Sequence, residues 1–383
     1  MTTVGVLGSP RRAEVDERGA TALPSGVRAD WIVGADDRWH AATREVGVRQ
    51  RRLGPAPALE TAMRGPGGDA VQRVYGAGGR GDVVVWEIEN ASPVPFVLAV
   101  VVQARREMRV RVEDAVVVVN GAALISATRP PMRWSAGSSG SASAAAMAGD
   151  ASDAPLRDVR GVEVVLLWPV THRTVQRLGF TLDGSAAPGD VAAPGALPSI
   201  DDVVAGWAAQ LRRGMRVDLP DASLQTEVDT ARADLLLAAT SVARPDEQLL
   251  VSLEDWGFDP EAAAAWQRAG WRARQAARRR GRSRPAAESV LSNVRDALVR
   301  EHGNEVEILP APRAEWRGGS LDVRDAPTRA GRLSYSVRWH GERPALLWEV
   351  REPVTGLVLR APGLDDVWST SEAAGEVLLR GPR

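Results

Sequence analysis

Apolar positions in the first half of the chain recur with the period of strands. In "REMRVRVED", Met108, Val110 and Val112 alternate with Arg109 and Arg111, so a half-solvated strand is predicted. "DVVVWEIEN", Asp82 to Asn90, is β-branched and bounded by turn residues. "VPFVLAVVV", Val94 to Val102, reads as a buried strand, and "VEVVLLWPV" and "TVQRLGFTL" add two more. "VVVVNGAALISA" places Asn120-Gly121 between two apolar runs, which predicts a type I′ hairpin. Many short strands with turns between them predict an antiparallel β-sandwich over residues 27–198, preceded by a disordered or extended stretch, 1–26. Two soft segments interrupt it: a flexible loop at 135–155, low in complexity, and an exit linker at 184–198.

The period then changes to that of helices, over residues 199–301. Ser199 is a good N-cap with Asp202 in the first turn, and Val203, Val204, Trp207 and Leu211 form one stripe. Asp221 caps a helix carrying Leu224, Val228, Ala231 and Leu235 on one face. Further helices are predicted from Pro245 to Trp256, from Asp259 (cap) and Pro260 into an arginine run, and around Leu291, Val294 and Leu298. From 302 to 383 strands return as a C-terminal antiparallel β module. Leu333, Tyr335, Val337 and Trp339 share a face, "HGERP" turns the chain, and Leu346, Trp348 and Val350 come back opposite. The predicted fold class is therefore multidomain β with a small α region.

Composition narrows the chemistry. With no cysteine, thiol catalysis, disulfides, Cys-ligated zinc and iron–sulfur clusters are excluded. The net charge of −1 provides no global field toward nucleic acid or membrane. No apolar run approaches the roughly 20 residues of a membrane span. The first residues lack the apolar core of a secretory signal, so a cytoplasmic protein is expected. The four histidines follow no metal-ligand spacing, and no metal or other cofactor is expected. "GAGGRG", Gly76 to Gly81, matches a dinucleotide-binding fingerprint in letters, but a strand follows it where phosphate binding needs a helix N-terminus, so it reads as a hairpin loop.

Longer words suggest a family. "GWAAQLRRGMRVDLPDASLQTEVDTARADLLLAA" (206–239), "LPAPRAEWRGGSLDVRDAPTRAGRLSYSVRW" (309–339), "ADWIVGADDRWH" (29–40) and "ETAMRGPGGDAVQRVYG" (60–76) carry the likeness. In these the chain resembles the six-hairpin, (α/α)-toroid glycosidases of the glucoamylase-like kind and their actinobacterial relatives. The resemblance implies an N-terminal super-sandwich, a helical toroid and a C-terminal β piece. A full toroid of about a dozen helices needs upward of about 200 residues. The stretch from Leu219 to Glu301 has room for about four or five. A truncated toroid is expected, and neither catalytic residue of the family falls on a matching position.

The resemblance implies a glycosidase-like, carbohydrate-active protein whose reaction centre is shortened or lost, with a carbohydrate ligand. If it is an enzyme, hydrolysis needs an acid and a base, both carboxyl groups. The catalytic candidates are Glu254 and Asp255 beside Trp256, and Asp36 and Asp37 between Trp31 and Trp39. Trp31, Trp39 and Trp256 are the candidate sugar-stacking platforms. Each pair also has a plain reading, a solvated helix end for the first and a capped turn for the second. A non-catalytic scaffold or sugar-binding protein is the alternative. An arginine-mediated nucleic-acid binder, acting through residues 272–284 with Arg278, Arg279 and Arg280, is a third reading.

Overall fold

The computed structural model describes residues 1–65, 67–79, 81–280 and 289–381. The chain is a multidomain β protein that divides into two compact units, residues 1–205 and 206–383.

One 16-stranded sheet builds the first unit. Its strands are β1–β4 (Thr2–Gly5, Arg12–Val15, Thr21–Ala22, Arg28–Gly34), β5 (Trp39–Ala41), β6–β9 (Arg49–Arg52, Ala58–Gly65, Gly68–Ala77, Val83–Asn90), β10 (Phe96–Glu113), β11 and β12 (Val116–Val119, Ala122–Ala127), β13 and β14 (Arg133–Gly137, Ser152–Asp153), and β15 and β16 (Val159–Val170, Val175–Thr181). The main path is β1-β2-β3-β4-β10-β11-β12-β16-β9-β8-β7-β6; β5 pairs with β4, and β15 links β10 to β13. The sheet curls on itself, and its inner face gathers one core from Val4 to Leu182.

The long apolar run is explained by burial on both faces. Phe96, Leu98, Val100 and Val102 enter the inner core. Ala99 and Val101 point the other way, with Ile32, Val165 and Leu167, onto helix α1 (Ser141–Ala148) through Ala142 and Ala146. A period-two strand covered on both sides has no polar phase, hence nine nearly uninterrupted apolar residues.

Helix α1 corrects the expectation of a flexible loop at 135–155. The segment carries no amphipathic period because its buried stripe is alanine, small enough to let the helix lie close on the sheet. Its cap comes from a distant strand. The Glu163 carboxylate accepts from Gly140 N (2.9 Å), Ser143 N (2.8 Å) and Ser143 Oγ (2.9 Å), and from Gln103 Nε2 (2.6 Å). Residues 1–26 form β1–β3, with Val4, Ala13, Val15 and Leu23 buried, so this stretch is extended and ordered and belongs to the sandwich. The 184–198 linker is pinned by Arg177, whose guanidinium donates to the carbonyls of Pro194 (2.8 Å), Leu197 (3.3 Å) and Pro198 (2.7 Å). At Asn120-Gly121 both φ angles are positive, 52° and 93°, as the predicted type I′ turn requires.

Helix α2 (Ile200–Leu211) leads out of the sandwich, capped as expected: Asp202 N donates to Ser199 Oγ and Ser199 N to Asp202 Oδ2. The second unit then holds α3 (Ala222–Ser241), α4 (Glu247–Asp255), α5 (Asp259–Arg268), α6 (Trp271–Arg280) and α7 (Val290–Leu298). Asp221, Asp246 and Ser289 cap α3, α4 and α7. At α5 Phe258 takes the N-cap, and Asp259 sits in the first turn paired with Arg332. Among the described residues of this stretch five helices stand, against the about a dozen that a full toroid would use.

The strands of this unit are β17 (Arg216–Asp218), β18 and β19 (Val299–His302, Glu305–Ile308), β20–β22 (Leu321–Thr328, Gly331–His340, Arg343–Arg351) and β23–β25 (Val358–Ala361, Asp365–Thr370, Ala374–Leu378). They form a five-stranded sheet, β17-β20-β21-β22-β25, and a four-stranded one, β18-β19-β23-β24. Because β17 comes from the helical stretch, helices and C-terminal strands share one unit, and the boundary expected at 301/302 falls inside it. The predicted hairpin is present: Leu333, Tyr335 and Val337 on β21 pair with Val350, Trp348 and Leu346 on β22, all six buried. Trp339 on the same face is only partly buried.

Candidate functional site

The candidate site of the first unit is built on the β4–β5 hairpin. Val33 pairs with His40 and Gly34 with Trp39, so alternate residues leave opposite faces. Trp31 belongs to the inner core, fully buried, its Nε1 donating to Arg18 O at 3.0 Å. Trp39 goes to the α1 side, its Nε1 donating to Met147 O at 3.1 Å, and the absence of a side chain on Gly34 leaves space for its ring. The two indoles thus lie on opposite faces of one sheet. They do not flank a common sugar subsite, and Trp31 presents no face to a ligand.

Asp36 and Asp37 are exposed in the turn. Asp37 is committed to His40. His40 Nε2 lies 2.9 Å from Asp37 Oδ1, and its Nδ1 lies 3.1 Å from Glu45 Oε1. Glu45 also receives two bonds from Arg38, at 2.6 and 3.2 Å. The bond from His40, more than any other influence, holds the Asp37 carboxyl below its ordinary range. Glu45 is held below its range first by Arg38 and further by His40. Neither carboxyl is thereby suited to donate a proton to a leaving group at neutral pH.

His40 is 4% exposed and borders a shallow cleft of about 20 Å³, room for one water. Val33, Met63 and Phe96 line it with apolar surface, and Arg64 and Asp69 line it together with His40. Scattered spacing concealed the His40 cluster from a motif search. A signal was present in Asp37-x-x-His40 around a two-strand turn, which brings the fourth residue back beside the first.

In the second unit Glu254 and Asp255 end α4. Adjacent helix positions diverge by about 100°. Glu254 accepts a bond from Trp266 Nε1 on α5, whereas the Asp255 carbonyl accepts from Arg295 Nε. Desolvation, the largest effect, and the charges of Asp255 and Asp259 push the Glu254 carboxyl above its ordinary range, against the Trp266 bond. Such a shift suits a general acid. Trp256 is fully buried and serves the core. Its ring lies 5.4 Å from the guanidinium carbon of Arg232, which also faces Phe258 at 5.8 Å. Arg232, itself 4% exposed, is bound to Asp229 Oδ1 at 3.0 Å and to Leu211 O at 2.6 Å. Trp256 is therefore a partner of a buried cation, not a stacking platform.

Among the described residues no group of three or more acidic or histidine side chains is placed to hold a metal ion. Nor is any helix among them long and apolar enough to cross a membrane. The side chains of Arg278, Arg279 and Arg280, together with all of 281–288, lie outside the described residues. Compared with known proteins, the chain matches no family model and no curated protein.

Proposed function

We propose that the chain is a non-catalytic scaffold that keeps the flanking sheets of a six-hairpin glycosidase frame without its reaction. The carrying observation is how the candidate side chains are used. Trp31 and Trp256 are each 0% exposed in separate cores, and Asp37 is engaged by His40. A retaining or inverting glycosidase needs one protonated and one ionised carboxyl about 5–10 Å apart on opposite sides of a bond. The Glu254 carboxyl is pushed above its ordinary range, as a general acid needs, but its chain neighbour Asp255 leaves the helix in a divergent direction. The short helical segment fits this reading, because the loops of a full toroid are where the resembling family keeps its acid and base.

The test is turnover of a panel of aryl α- and β-glycosides and of oligosaccharides, with Glu254→Gln as the control. The scaffold reading expects the wild type and the variant to share the same background rate. Turnover that drops by about a hundredfold or more in Glu254→Gln, the usual size of a general-acid contribution, overturns it.

A further inference from the structure

We propose that the outer face of α6 is a contact for single-stranded nucleic acid, in which the Trp271 indole stacks on a base and Arg272 pairs with a neighbouring phosphate. The contact is independent of whether the chain turns over a sugar.

Tryptophan is otherwise an interior or half-buried residue in this protein. Of the thirteen, only Trp271 is exposed, at 68%. The exposed residues of α6 share one sector. Trp271, Arg272 and Gln275 are exposed, Ala273, Arg274 and Ala276 are partly buried, and the helix packs against α4. At about 100° per residue the exposed three span about 100° of the helix, and position 279, an arginine, falls inside that sector one turn beyond Gln275.

The corner that carries Trp271 is fixed. Arg274 Nε and Nη2 donate back to the carbonyls of Ala269 and Gln267, both at 2.8 Å. Arg268 Nη1 donates to Val242 O at 2.9 Å, which ties the end of α5 to the end of α3. The indole is thus presented on a rigid edge, and binding has little order left to impose. These bonds commit Arg268 and Arg274 to carbonyls. Arg272 is exposed and has no carboxylate partner among the described residues.

Local charge selects the partner. No aspartate or glutamate occurs between Glu261 and Glu288, a stretch that holds Arg268, Arg272, Arg274, Arg278, Arg279 and Arg280. The chain carries −1 overall, but at physiological salt exposed charges more than about 8 Å apart are largely screened, so the local excess governs. A neutral sugar stacks on an indole and gives an arginine no charge to bind. An acidic peptide supplies charge without a flat face. An anionic membrane needs a broad apolar face to enter, and Trp271 is the one large apolar side chain in α6. An unpaired nucleotide supplies both a π-face and a phosphate, whereas a duplex keeps its base faces stacked inside.

The test is fluorescence anisotropy of the full chain with labelled oligothymidylate of about 12 nucleotides, within the span of known single-strand sites. Binding is expected, weakening as salt rises. Trp271→Ala should weaken it about tenfold or more, the scale of one stacked base, with the salt slope unchanged. Trp271→Phe keeps a π-face and should bind nearer to the wild type. Arg272→Ala should flatten the slope by about 0.7, the share of one phosphate on a single strand. A duplex of equal length should bind more weakly, and oligouridylate of equal length shows whether RNA or DNA is preferred. Absence of binding to either single strand, full affinity in Trp271→Ala, tighter binding of the duplex, or capture by phosphatidylserine vesicles in place of the oligonucleotides overturns the proposal.

Discussion

Glu163 shows most plainly how a single residue depends on partners that are remote in sequence. It is 1% exposed, and desolvation, the largest influence, pushes its carboxyl up. The bonds from Gly140, Gln103 and Ser143 together outweigh it and hold the carboxyl below its ordinary range. Glu163→Ala should cost the sandwich about 2 kcal/mol, since the half-buried Ser143, the Gly140 amide and Gln103 lose their shared acceptor; urea unfolding near neutral pH measures it. The pH dependence follows from the direction of the shift. A carboxyl lowered by folding adds stability above its unfolded value of about 4.3, and that part is lost as pH falls through the folded value. Glu163→Gln should therefore differ most from the wild type at neutral pH, with the gap closing in acid. Nothing in the letters around position 163 marks it, because the groups it satisfies lie 20 or more residues earlier. The same limit applies to Trp31 and Trp39: their spacing suggested a pair, but the β4–β5 register turns them to opposite faces.

Elements divide into those that carry their own signals and those that borrow them. The caps at Ser199 and Asp221 act on backbone donors two or three residues away, so α2 and α3 were legible, while α7 was legible from the apolar stripe of Leu291, Val294 and Leu298. The β21–β22 hairpin was legible because alternation and turn lie in one continuous stretch. Helix α1 was not, since its cap and its packing surface both belong to the sheet. The 184–198 segment borrows likewise. Arg177 links it to Tyr75, whose hydroxyl bonds Glu87 Oε1 at 2.7 Å, and Arg177 Nη2 donates to Tyr75 Oη at 2.7 Å. Burial and the Glu87 carboxylate push the Tyr75 phenol above its ordinary range, so it remains a donor at any working pH. Arg177→Ala should remove the Glu87 ion pair at 3.1 Å, leaving Glu87 with the Tyr75 hydroxyl, and take a donor from three carbonyls of the linker, at a cost of about 2 kcal/mol. Urea unfolding gives that value, and faster proteolysis confined to 184–198 identifies the element released; an unchanged midpoint would show that the linker holds without its clamp.

For the whole molecule, each unit has its own interior, and the first has a continuous core running from Val4 to Leu182. Residues 1–205 alone should therefore fold, with a β-type far-UV spectrum and a cooperative thermal transition. A non-cooperative melt of that piece would mean its core is completed from elsewhere in the chain. Strand period, turn chemistry and helix capping are short-range properties, and from them the sequence by itself determined a β-rich protein with a brief helical insert. Tertiary structure alone decided which side chains meet. Two faces of one strand, or a glutamate and a helix start 20 residues apart, become neighbours only when the sheet curls and its register is set. That is why the tryptophans expected to receive a sugar fill cores, while an unremarked histidine stands between two carboxylates.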